Sequence, residues 1–134
     1  MTTWRAAALL LAINSVVFVI GIARDGSSAG VDRPGWLPPV WFRAGAQLVA
    51  AVGLWLGHRW AWWVGVGICS VLLLWTGFAS LVLAFGGYFG GEGAAWRTVH
   101  LGMLLATWLG ALALLLSPEA RAVGRLTSGL SGRA

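Results

Sequence analysis

The chain has 134 residues, 59% of them hydrophobic and only 10% charged, where a soluble domain carries about 25% charged residues. Its net charge of +5 comes from nine Arg and no Lys, placed singly at the ends of apolar segments, which argues against the basic stripe that nucleic acid requires. The one cysteine, Cys69, excludes an internal disulfide framework, a multi-Cys zinc site and a CxxC pair.

The first apolar segment lies between Arg5 and Arg24, 18 uncharged residues that include Asn14. A charged start and the small-x-small triplet Gly21-Ile22-Ala23 also fit a secretory signal. The apolar part exceeds the 7–15 residues usual for one, so a first membrane span over about 4–23 is expected. Residues 24–39 form the one clearly polar connection, rich in Gly, Ser and Pro, with Asp25 and Asp32 beside Arg24 and Arg33. Pro38 and Pro39 suit the first turn of a second span over about 40–57. Arg43 interrupts that span near its start, where a long side chain can snorkel to the interface.

A tight turn at His58-Arg59 leads into the longest apolar stretch, Trp60 to Gly91, 32 positions without a charge. A membrane helix needs about 20 apolar residues, so a third span over about 60–85 crosses with residues to spare. Indoles at Trp60, Trp62 and Trp63 and rings at Phe85, Tyr88 and Phe89 suit the two headgroup belts. The Gly-rich loop 86–95 precedes a fourth span over about 97–116. Ser117 and Pro118 then read as N-cap and first residue of another helix, on which Arg121 and Arg125 share a face. That helix is expected on the lipid surface, followed by a disordered tail.

The fold class expected is therefore an all-α membrane protein, a four-transmembrane-helix bundle over 1–117 with a basic surface helix and tail over 118–134. With the N-terminus inside, Arg5, Arg59, Arg121, Arg125 and Arg133 are cytoplasmic, and Arg24, Arg33, Arg43 and Arg97 lie outside. The margin is narrow, and the amino terminus with the basic helix tips both termini inward. Arg to the exclusion of Lys, with much Ala, Gly, Leu and Val, points to a GC-rich bacterium and its inner membrane.

No carboxylate falls inside a span, since Asp25, Asp32, Glu92 and Glu119 all lie in loops or at segment ends. That disfavours a proton-coupled transporter built on an embedded acid and a carboxylate metal site. No enzyme is expected either, since no nucleophile–base pair or metal constellation appears. His58 and His100 fall at opposite ends of alternating spans, too far apart to hold one haem, so no cofactor or metal is expected. Uncharged polar residues occupy the span centres. Asn14, Gln47 and Thr107 are expected to bond between helices, or, with the deep indoles Trp75 and Trp108, to line a site for a small lipophilic molecule. Small residues four apart mark candidate packing faces: Gly53 and Gly57, then Gly102, Ala106 and Gly110, then Ala8 and Ala12.

The run Pro34-Gly35-Trp36-Leu37-Pro38-Pro39-Val40-Trp41-Phe42 resembles the Trp-Pro-Pro-Trp-Phe stretch in the first loop of the tryptophan-rich sensory (translocator) protein family, which has five spans and binds porphyrins. The resemblance covers about nine residues. That family's later Trp, Asn and Pro-Tyr signatures and its fifth span have no counterpart here, so no membership follows. The function expected is a non-catalytic accessory or scaffolding subunit, partnered by the bilayer and by other membrane proteins or further copies of itself. The alternative is a binder or transporter of a small lipophilic or aromatic molecule.

Overall fold

The computed structural model describes residues 2–25 and 39–125, all helix and turn with no strand among them. Five helices follow one another: α1 (Thr3–Asp25), α2 (Val40–Trp55), α3 (Arg59–Phe85), α4 (Ala94–Leu115) and α5 (Pro118–Arg125). Three are long and apolar enough to cross a membrane: α1 through its Thr3–Gly21 part, α3 and α4. At 1.5 Å per residue, α3 is about 40 Å long against a hydrocarbon core of about 30 Å.

α2 differs from the span expected over 40–57. Its 16 residues reach only about 24 Å. The helix stops at Trp55 because Gly57 takes a left-handed φ of 75°, a conformation open to glycine. His58 N–H then donates to Gly53 O (2.8 Å) and Gly57 N–H to Leu54 O (3.0 Å). This paired closure satisfies the last carbonyls of the helix. Gly57, expected on a packing face, is instead the turn residue. The same device ends α3, where Gly87 (φ 74°) donates to Ala84 O and Tyr88 to Leu83 O.

Each of α1 to α4 packs on its chain neighbour, and α4 closes back on α1. The apolar first segment is thus built into the core through Ala7, Ala8 and Leu11. At the centre Gly65 of α3 lets Leu11, Leu54 and Leu115 converge from the other three helices, all within 4 Å of where its Cβ would stand. Trp62 ties α3 to the end of α4, its indole N–H donating to Leu115 O at 2.8 Å. α5 starts at Pro118, with Ala120 N–H reaching the Ser117 hydroxyl at 3.4 Å and Ala120 itself buried. The second half of α3 is different: from Leu73 to Phe85 no residue is buried.

Cations sit on rings at both ends of this assembly. The Arg5 guanidinium lies over Trp55 (5.4 Å) at one end. At the other, Arg24 lies over Trp96 (4.3 Å) and Arg97 over Tyr88 (4.8 Å). Such pairs are worth about 0.5–1 kcal/mol where exposed. Residues 26–38, with Asp32, Arg33 and most of the Trp-Pro-Pro run, lie outside the described residues, as do those from 126 onward, where the disordered tail was expected.

Candidate functional site

Polar side chains in an apolar interior have to find partners, and two of those singled out at the span centres do so across α1 and α4. Asn14, 1% exposed, donates from Nδ2 to Thr107 Oγ1 and to Leu104 O (3.2 Å). The Thr107 hydroxyl in turn donates to Met103 O at 2.7 Å. A residue that the sequence did not single out does the same for α1 and α2: Ser15 Oγ donates to Ala44 O at 2.8 Å. Interhelical bonds of this kind contribute about 0.6–2 kcal/mol each. Asn14→Leu is accordingly expected to lower stability in detergent by that amount, read as a shift in the unfolding midpoint.

Trp108 follows Thr107 on α4 and is buried at 1% exposure, with Phe18 edge-on to it at 6.3 Å and 62°. Trp75 is half-buried and packs against the core from α3. Gln47 is fully buried on α2, and neither of its amide atoms has a hydrogen-bond partner among the described residues. An unpartnered buried amide costs about 1–3 kcal/mol. Gln47→Leu, of similar shape, is expected to leave stability unchanged or raise it by up to that amount, the opposite sign from Asn14→Leu in the same measurement.

Of the five residues expected to line a lipophilic site, Asn14, Thr107 and Trp108 come together, but as contacts between helices. A groove of about 200 Å³ runs between α2 and α3, lined by Phe42, Arg43 and Ala46 on one wall and Gly67, Ile68, Val71 and Leu72 on the other. None of the five contributes to it.

Arg43 reaches back from α2 onto the second half of α1. The Ser15–Ala44 bond fixes the register of α2 against the middle of α1, and the Arg43 guanidinium lies over Phe18 at 5.1 Å. Phe18 lies three residues before Gly21, where the apolar part of α1 ends. The signal available in sequence was Arg43 itself, three residues into an expected span.

The packing faces divide. Gly53 meets Ala61 and Trp60 of α3 closely, and Gly110 faces Leu10 of α1. Gly102 has nothing within 4 Å and Ala106 is exposed, so within this chain those two do not share a packed stripe with Gly110. Ala8 is buried in the core and Ala12 packs against it. His58 precedes α3 at one end. His100 sits at the other, stacked on Trp96 at 5.5 Å, its Nε2 3.0 Å from Val17 O and its ring in the space beside Gly21. Cys69 is buried mid-way along α3. Among the described residues no three of His, Cys, Asp and Glu gather as a metal site would require. Comparison with protein-family models, with curated proteins and with solved structures finds no match to this chain, so residues 34–42 remain a local likeness.

Proposed function

We propose that the chain is a small polytopic membrane protein that acts as a non-catalytic accessory or scaffolding subunit. It crosses the bilayer four times, with α2 as a short crossing and both termini on the cytoplasmic side of a bacterial inner membrane. The observation that carries this reading is the contrast between a filled interior and an uncovered helix. Leu11, Leu54, Trp108 and Leu115 close the core, while α3 exposes Val64, Val71, Leu74, Phe78, Leu81 and Phe85 along one side. Five of these, from Val71 to Phe85, alternate steps of three and four, the spacing with which one helix packs along another. Rings and cations at both ends of the assembly support its crossing the bilayer.

The test is extraction of the membrane into polymer-bounded nanodiscs, followed by mass measurement and cross-linking from Leu74→Cys in a Cys69→Ser background. The scaffold reading expects a particle holding more than one chain and an adduct through position 74. A single chain in its disc, with no adduct, ends it.

The alternative, a binder or transporter of a small lipophilic molecule inside the bundle, has one observation in its favour. The Gln47 amide and the Trp108 indole N–H are both buried without a partner among the described residues. It expects quenching of tryptophan emission by an added aromatic ligand, lost in Trp108→Leu.

A further inference from the structure

We propose that the end of the bundle carrying Arg5, Arg59 and Arg121 binds the phosphates of anionic phospholipids in the adjoining leaflet. The inference rests on the membrane residence proposed above and not on the scaffolding role. The three residues are far apart in sequence, and the fold brings their helix ends together. Arg5 stands over Trp55 at the end of α2, and Arg59 opens α3 after the turn at Gly57. α4 finishes at this end too, since Leu115 O accepts from the Trp62 indole. α5 then folds back onto α3 and α1. It is held there by the buried Ala120 and presents the exposed Arg121.

The two ends of the bundle differ in how their charges are met. At the far end Arg97 donates to Gly90 O (2.9 Å) and lies over Tyr88, while Arg24 lies over Trp96. The acids Asp25 and Glu92 belong to that end as well. Arg59 and Arg121 are both exposed, and neither makes a hydrogen bond or an ion pair with a described residue. Glu119 is the one acid at their end among the described residues. An excess of cations that the chain itself does not meet draws an anion from outside it.

The surrounding rings identify the source of that anion. Trp55, Trp60 and Trp63 are exposed at the same end, as are the apolar Leu56 and Val64. Indoles in such a setting favour the headgroup level. Arg59 and Trp63 lie four apart on one face of α3. The guanidinium therefore starts one turn outward of an interfacial ring, where lipid phosphates lie. Its planar fork matches phosphate oxygens, and a zwitterionic lipid offers no net charge to hold.

The test is reconstitution of the full chain in nanodiscs of equal phosphatidylglycerol and phosphatidylcholine, with the lipids that stay bound on release counted by native mass spectrometry. The wild-type chain is expected to retain phosphatidylglycerol preferentially. Arg59→Gln and Arg121→Gln should each cut the preference about fivefold, the effect of one basic residue near an anionic surface. Both side chains are exposed, so the melting temperature should stay where it is. Arg59→Lys with Arg121→Lys should keep most of the preference, because the charge is kept. Arg24→Gln with Arg97→Gln, at the far end, should leave it unchanged. Equal retention of the two lipids by the wild-type chain overturns the proposal. So does a preference that survives the Arg59→Gln, Arg121→Gln pair or falls as far with the far-end pair. Displacement of the retained lipid by glycerol phosphate overturns the lipid as the source of the phosphate. A chain that stays in solution without detergent ends this proposal and the membrane reading together, whereas unselective retention ends this one alone.

Discussion

Trp108→Ala is expected to destabilise the protein by about 3 kcal/mol, the low end of the 3–5 kcal/mol seen when a large buried ring is cut back in a water-soluble core. The ring is 1% exposed and holds Phe18 against α4. In a bilayer the lost energy is dispersion and shape rather than transfer from water, because lipid is apolar too. Trp108→Phe is expected to recover most of it, since the indole N–H makes no hydrogen bond among the described residues. Titration with a denaturing detergent, followed by helix content, measures both variants. A Trp108→Ala midpoint within about 0.5 kcal/mol of wild type, the range of an ordinary surface change, would mean that this interior is not packed.

Gly53→Leu should do comparable damage by the opposite route. A Cβ at position 53 would lie 2.7 Å from the Ala61 Cβ and 2.9 Å from Trp60 Cζ2. Ala61 is fixed to the α3 backbone, so the two helices must move apart. Overfilling a tight contact costs about 1–3 kcal/mol, and Leu adds three carbons beyond that first clash. Gly102→Leu is the control: nothing lies within 4 Å there, so a change of about 0.5 kcal/mol or less is expected. Equal losses from the two would show that residue 53 is not where α2 and α3 meet.

The long helices are legible in sequence because crossing hydrocarbon takes a run of uncharged residues, and no other pattern supplies 32 of them from Trp60 to Gly91. The end of α2 is not. Gly53 and Gly57 look alike at four-residue spacing, yet one packs on Ala61 and the other turns the chain with a left-handed φ. Asn14 and Thr107 could be paired from their shared depth. Ser15 could not, since its partner is the backbone of Ala44 and leaves no mark in residue type. The groove is the least legible feature. It exists only because residues 42–46 and 67–72 stand side by side, and that register follows from packing. The contact of Arg43 with Phe18 has the same origin, being set by where α2 sits against α1.

The bond from Asn14 to Leu104 spans 90 positions. At a synthesis rate of 5–20 residues per second, the first helix waits roughly 5–18 s for the fourth to leave the ribosome. Through that interval the Asn14 amide is in place without Thr107 or Leu104. A nascent chain released early, before α4 is made, therefore carries that amide without either of these partners.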